Sequence, residues 1–225
     1  NAGATQFIQL SAVGASLKSD SHYARTKAEG EAAVKKAFPG ASIIRPSVVF
    51  GPEDQFFNRF AGMAQLSPVL PVFGCPTFPK ITLFGENGAL DFDFYGDGGS
   101  KFQPVYVGDV ADAIVKILET PDKAGSIYEL GGPTIYSFIE LMELVLKHTG
   151  RKKILVPVPF WMAMMKAWFL QLLPKPLLTC DQVTLLKTDN VINQKIKNFK
   201  NLEIQPIAAD AVLPVYLSRF HTSKK

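Results

Sequence analysis

The chain predicts an α/β protein built on a parallel sheet, and three observations lead there. Within the first 46 residues an apolar run, a helix-forming stretch and a second apolar run follow one another at crossover spacing. A third apolar run, from Phe102 to Val107, is followed by the helical stripe Val110, Ala113, Ile114, Ile117 and Leu118. A fourth, Ile127 to Leu130, ends on Gly131, Gly132 and Pro133. Strand, helix and strand joined this way can lie parallel only if the helix crosses over the sheet, which then has both faces covered.

Taken in order, Phe7 to Leu10 is a short buried strand, and Ser11 to Gly14 is its turn. From about Ser21 to Phe38 the chain is rich in Ala, Glu and Lys, which favours a helix; Pro39 and Gly40 stop it. Ala41 to Arg45 is the second strand, closed by Pro46. Asp109 is placed to cap the helix after the third strand, where the helix dipole favours a negative charge, and Asp112 falls on a solvated face. Ser137 and Glu140 make a capping box that opens a helix running to Thr149 and Gly150; Thr179 and Gln182 make a second. Residues 75–100 interrupt this alternation. Ile81 to Phe84 and Ala89 to Tyr95 flank Gly85, Glu86, Asn87 and Gly88, the pattern of an inserted β-hairpin. Asp91 and Asp93 share one face of it, as an acid pair or as solvated surface.

The composition is that of a globular chain: 225 residues, 47% hydrophobic and 20% charged, enough for one large domain or one with an appendage. The net charge of +4 comes from scattered lysines and does not indicate nucleic acid as a partner. Cys75 and Cys180 are far apart and match no metal spacing, nor do His22, His148 and His221, so a reducing, cytosolic-type compartment is expected. No stretch reaches the roughly 20 uninterrupted apolar residues of a membrane-spanning helix. The chain opens without Met and enters a buried strand almost at once, which reads as a fragment or a processed product.

The candidate chemistry starts at Tyr23 and Lys27. Four residues apart on a helix, they share one face, with Ser11 at the end of the strand upstream. An ammonium beside a phenol favours phenolate, so Tyr23 would exchange a proton below its free pKa of roughly 10.

Four landmarks in order carry a resemblance. They are Ser11 after a strand, Tyr23 and Lys27 on a helix, the run Arg45 to Pro52 after the next strand, and the run Pro104 to Ala113. The chain resembles the carboxyl-terminal two-thirds of an extended or atypical short-chain dehydrogenase/reductase, of the NAD-dependent epimerase/dehydratase kind. The phrases Leu10 to Ala15, Phe102 to Asp112, Tyr128 to Pro133, Leu155 to Pro159 and Leu173 to Val183, with Asp189 and Asn190 beyond, are similar to those of one subgroup. That subgroup is the nucleotide-binding accessory subunits of respiratory complex I and their bacterial relatives.

The resemblance implies the carboxyl-terminal part of a Rossmann-like, doubly wound parallel sheet. Residues 1–74 would be the second half of the NAD(P)-binding domain and 75–100 an inserted hairpin loop. Residues 101–150 would close the sheet, and 151–225 would form a mostly helical docking or substrate region. It implies Tyr23 as proton donor or acceptor beside the nicotinamide and Lys27 on the ribose hydroxyls. Pro46, Ser47 and Val48 would pack near the nicotinamide ring, at the strand carboxyl ends where open α/β sheets bind ligands.

Two departures stand out. No G-x-G-x-x-G turn occurs in these 225 residues, and Gly96, Gly98 and Gly99 read as an ordinary turn, so NAD(P) binding is expected to need a further segment. The active hydroxyl of many relatives would fall at Ala12, which leaves Ser11 or Ser16 for that role. Arg45 is either a substrate-facing cation or a strand-end residue pairing locally.

Two functions fit. One is a non-catalytic NAD(P)-binding accessory or assembly subunit of NADH:ubiquinone oxidoreductase, with the cofactor structural. The other is a working oxidoreductase or epimerase acting on a hydroxyl-bearing substrate through Tyr23 and Lys27. The stretch Phe160 to Leu173, apolar nearly all round with Arg151, Lys152 and Lys153 before it, is either buried or docks against complex I subunits or a membrane interface. The resemblance places the protein peripherally on an inner membrane, on the cytoplasmic side or the mitochondrial matrix side.

Overall fold

The computed structural model describes residues 3–82, 91–174 and 176–221. In chain order the elements are β1 (Ile8–Leu10), α1 (His22–Ala37), β2 (Ser42–Pro46), β3 (Val49–Phe50), α2 (Phe57–Leu66) and β4 (Val69–Phe73). Next come β5 (Lys80–Thr82), β6 (Asp91–Asp93), β7 (Lys101–Phe102), β8 (Val105–Tyr106), α3 (Val107–Glu119), β9 (Ile127–Leu130) and β10 (Tyr136–Ser137). The chain closes with α4 (Phe138–Thr149), β11 (Ile154–Val158), α5 (Phe160–Leu170), α6 (Cys180–Leu186), α7 (Phe199–Leu202) and α8 (Ala209–Leu217). Contacts divide it into two units that interleave in sequence.

The first unit comprises Asn1–Phe56, Phe102–Ile135 and Asn190–Tyr216. Its sheet has the order β1-β2-β9, all parallel, with Ile8 opposite Ser42 and Ile43 opposite Ile127. α1 is the crossover between β1 and β2, as its place between two parallel neighbours requires. Ser21 caps it by accepting from the Ala24 N–H, and Ala24, Ala28 and Glu31 are its buried residues. β3 pairs with β8 in a second, parallel ladder. Ile44, Val105, Val110, Ala113, Ile117, Tyr128, Leu130, Phe199 and Leu202 form the core. The α/β, parallel-sheet expectation is met.

Four details differ from the sequence reading. The first strand is not buried: Phe7 is 42% and Leu10 47% exposed, because β1 stands at the edge of the described sheet. The run Phe102 to Val107 is not one strand: β7 and β8 are separated by Gln103 and Pro104, and Val107 already belongs to α3. Leu118, assigned to the buried stripe, is 44% exposed, since the stripe narrows to Val110, Ala113 and Ile117. Asp109 caps nothing. It lies inside the first turn of α3, buried, and its Oδ2 accepts the Ile207 N–H at 2.7 Å. Burial pushes its carboxyl up, partly offset by that hydrogen bond. Asp112 is exposed, as expected.

The second unit comprises Phe57–Lys101, Tyr136–Asp189 and Leu217–Lys225. β4 and β11 pair in parallel, and Phe138 of α4 meets Phe60 and Phe73 edge-on, at 5.7 and 5.3 Å between centroids. Both capping boxes are present, at Ser137 with Glu140 and at Thr179 with Gln182, and Gly150 ends α4 at φ 62°. The hairpin pairs β5 and β6 antiparallel; its turn, Gly85 to Gly88, and the side chain of Asp91 lie outside the described residues. Asp93 spends Oδ1 on the Tyr95 and Gly96 N–H groups, and no metal-holding cluster exists among the described residues. Gly96, Gly98 and Gly99 all have positive φ in a turn, where a Cβ on Gly99 would lie 2.2 Å from the Phe73 carbonyl oxygen.

α5 turns only Ala163 and Ala167 fully inward. Trp161, Trp168 and Phe169 are 55–61% exposed, and Met165, Leu172 and Leu173 are exposed too. The two tryptophans and Phe169 are therefore not buried, while Phe160, Met162, Met164 and Leu170 are half-buried. No described helix is long and apolar enough to cross a membrane.

Candidate functional site

The carboxyl ends of β1 and β2 lie side by side. The Ser11 N–H donates to the Ile44 carbonyl at 2.7 Å and the Val13 N–H to that of Pro46 at 3.0 Å, so the two following loops are stitched together. The same loop reaches the first turn of α1 through Ser16 N–H to the Ala24 carbonyl, 3.3 Å. Residues 11–16, the start of α1 and residues 46–48 thus form one neighbourhood in the first unit.

Within it Tyr23 and Lys27 do meet, as one helical turn requires. The Lys27 ammonium lies 5.5 Å from the centroid of the Tyr23 ring. It sits over the π face, an attractive cation–π arrangement. The expected lowering of the phenol pKa is corrected here: partial burial pushes Tyr23 up instead. Desolvation disfavours the phenolate, and Lys27 supplies no counteracting shift.

Ser11 is buried and its hydroxyl is engaged. Oγ donates to Glu31 Oε1 at 2.5 Å, and Glu31 is held from its other side by the Arg45 guanidinium, Nε to Oε1 at 2.8 Å and Nη2 to Oε2 at 2.7 Å. Glu129 approaches Arg45 Nη1 at 3.5 Å and accepts the Asn193 N–H at 2.8 Å. Burial alone would raise the Glu31 carboxyl, but the hydrogen bonds from Arg45 and Ser11, with the charges of Arg45 and Lys35, outweigh it and hold the group below the usual glutamate range. The hydrogen bond to Glu31 comes first among the causes that raise Arg45 in turn. Arg45 is thus a locally paired residue, the second of its two sequence readings. An open cleft of about 300 Å³ lies over this cluster, lined by Ser16, Glu31, Lys35, Arg45 and Ile127 among others.

Pro46 and Ser47 are buried and Val48 is half-buried. Ser47 Oγ donates to Asn190 Oδ1 at 2.6 Å, and the Val48 N–H donates to the same oxygen at 2.8 Å. Ser16, the alternative hydroxyl, is exposed and accepts from the Lys18 N–H. Close packing explains the glycine pair after β9: a Cβ on Gly132 would lie 2.0 Å from the Pro104 carbonyl oxygen.

Sequence reasoning missed Glu31, Glu129 and Asn190. A local signal existed for the first: Glu31 follows Ala24 and Ala28 at helical spacing, so it lies on the stripe that α1 turns inward, while Glu129 and Asn190 stood only inside the phrases of the resemblance. Glu129 and Asn190 meet partners 84 and 142 residues away.

Comparison with known proteins gives three kinds of likeness. Residues 3–131 match the model of the NAD dependent epimerase/dehydratase family. The chain is 32% identical to NADH dehydrogenase [ubiquinone] 1 alpha subcomplex subunit 9, mitochondrial, of Arabidopsis thaliana, over 91% of this chain and 48% of that protein. It is 33% identical to the Mus musculus protein of the same name, over 91% of this chain and 49% of the relative. The chain therefore spans about half the length of these curated relatives. Among solved structures, UDP-glucose 4-epimerase of Thermus thermophilus in complex with NAD superposes with a TM-score of 0.62 at 17% identity, covering 96% of this chain and 63% of the enzyme. That likeness is one of fold.

Proposed function

The chain belongs to the NAD-dependent epimerase/dehydratase family, and from that premise we propose that it serves as an NAD(P)-binding accessory or assembly subunit of NADH:ubiquinone oxidoreductase. The bound dinucleotide acts as a structural element. The relatives, named as subunits of NADH dehydrogenase [ubiquinone], support the assembly. The single observation that carries the non-catalytic half is the state of Ser11. Its hydroxyl is donated to Glu31 inside an ion-paired cluster, and the next residue, Ala12, has none. Ser11 is then not free to polarise a substrate carbonyl, a donor worth about 10² or more in rate, and of the two candidate hydroxyls only the exposed Ser16 is left.

The residues at the carboxyl ends fit a nicotinamide nucleotide. Lys27 would hold the ribose hydroxyls, Tyr23 would line the ring, and Pro46, Ser47 and Val48 would form the wall beyond β2. Bound there, the group could supply hydride chemistry; what this chain adds is orientation and exclusion of water.

Docking falls to α5. Its exposed Trp161, Trp168 and Phe169, with exposed Lys166 among them, make an apolar surface carrying positive charge. That combination suits an anionic membrane interface, where aromatic rings sit at the headgroup level and lysines meet phosphate. The protein would then be peripheral, on the cytoplasmic or matrix side.

The retained contact between Lys27 and Tyr23 favours a second reading, a working oxidoreductase or epimerase. One experiment on the full-length protein separates the two: isolate it from respiratory membranes, identify the bound nucleotide, then repeat with Tyr23→Phe. A structural subunit keeps nucleotide and membrane association unchanged. An NAD(P)-dependent turnover that Tyr23→Phe lowers by orders of magnitude would establish the enzyme instead, and a protein that carries no nucleotide and stays off the membranes would overturn both.

A further inference from the structure

We infer that Asn190 is the positioning residue of the cofactor wall: its side-chain carbonyl holds Ser47 and Val48 in the conformation that receives the nicotinamide. This rests on the proposed role of Pro46, Ser47 and Val48. Beyond the end of β2 the ladder partners run out one by one. The Ser47 N–H still reaches the Leu130 carbonyl at 2.9 Å, and the Val48 carbonyl accepts the Val105 N–H at 2.9 Å. The Val48 N–H is bonded by neither strand; Asn190 Oδ1 accepts it at 2.8 Å and takes the Ser47 hydroxyl at 2.6 Å. A backbone N–H can only donate, so the oxygen of this amide must face the loop.

The acceptor is itself fixed. The Asn190 backbone carbonyl accepts the Gln103 N–H at 3.0 Å, and the single Ser47 hydroxyl proton, given chiefly to Oδ1, is shared with it at 2.9 Å. Buried Gln103 clasps the neighbouring chain in turn, Nε2 to the Gly132 carbonyl at 2.7 Å and Oε1 from the Ile192 N–H at 3.2 Å. A side chain anchored on both sides of its own residue is preorganised, and a loop held by it loses little freedom when a ligand arrives. The same two hydrogen bonds would be needed by any dinucleotide, so Asn190 sets affinity for the nicotinamide end and not the choice between phosphorylated and unphosphorylated ribose.

The test uses the full-length protein and compares NADH or NADPH with ADP-ribose or its 2′-phosphate, which lack the nicotinamide. Wild-type protein should bind both kinds of ligand. Asn190→Leu should weaken the dinucleotide about thirtyfold, the effect of roughly two neutral hydrogen bonds, and leave ADP-ribose affinity unchanged. Asn190→Asp keeps the acceptor oxygen and should restore binding. Should Asn190→Leu fold poorly, Asn190→Ala gives the same reading. Dinucleotide affinity unaltered in the Leu or Ala variant overturns the inference. So does an equal loss of both ligands, or an Asp variant no better than Leu. A wild-type protein that binds neither ligand overturns the cofactor reading itself, and the inference falls with it.

Discussion

α1 and α5 bury opposite things. α1 is polar along most of its length, yet it turns a carboxylate inward: Glu31 is 8% exposed. α5 is apolar along most of its length, yet it turns two alanines inward and leaves Trp168 58% exposed. The difference lies in what faces each helix. Opposite Glu31 stand a two-pronged guanidinium and a serine hydroxyl, which replace the water that the carboxylate gave up. On α5 the inward positions are held by Ala163 and Ala167, and the aromatic side chains Trp161, Trp168 and Phe169 fall on the other face of the same turns. Hydrophobicity alone would have ranked the two faces in the reverse order.

The largest effect expected from breaking this contrast is at Arg45. Arg45→Ala strips the partner from Glu31 and removes the contact to Glu129, and should lower unfolding free energy by about 3 kcal/mol in urea denaturation. A loss under about 1 kcal/mol would mean that water enters the cluster and that the pairing matters little. Ala167→Leu probes the other helix from its inner side. Added methylenes at a fully buried position should cost about 2 kcal/mol by the same measurement; a neutral result would mean that α5 moves freely off its unit.

A smaller effect is expected in acid. The Glu31 carboxyl titrates below its unfolded value, so its contribution is complete above the unfolded pKa of roughly 4.3. The contribution fades as pH falls through the folded value. Wild type and Glu31→Gln should therefore differ by a constant amount near neutrality and converge below about pH 4, in melting curves recorded across pH; curves that stay parallel into acid would show the carboxylate to be unperturbed. The smallest effect belongs to the outer face of α5: Trp168→Ser should leave stability within about 0.5 kcal/mol of the parent. A large loss there would show that the aromatic surface is covered by its own chain and is not available for docking.

The legible parts share one property: their causes sit within a few residues of their effects. Ser21, Ser137 and Thr179 cap helices because their oxygens reach an N–H three positions on, and that needs no knowledge of the fold. Tyr23 and Lys27 meet because one turn separates them. The same reasoning misjudged Asp109, whose partner Ile207 lies 98 residues away, and named Asn190 only as part of a resemblance, with no hint that it serves Ser47 and Val48 from the far end of the chain. It also placed Leu118 in a stripe that the core does not reach.

The amino-acid order by itself thus determined the α/β alternation, the limits of α1 and α4, the two capping boxes, the antiparallel strands of the hairpin and the meeting of phenol with ammonium, since periodicity, caps and one-turn spacing are local properties of a chain. Only the tertiary structure decided that Ser11 serves an ion pair, that partial burial raises the Tyr23 phenol, and that the aromatic side chains of α5 stay exposed. Each of those outcomes depends on which distant group removes water from a side chain, and that is set by how the strands and helices come together.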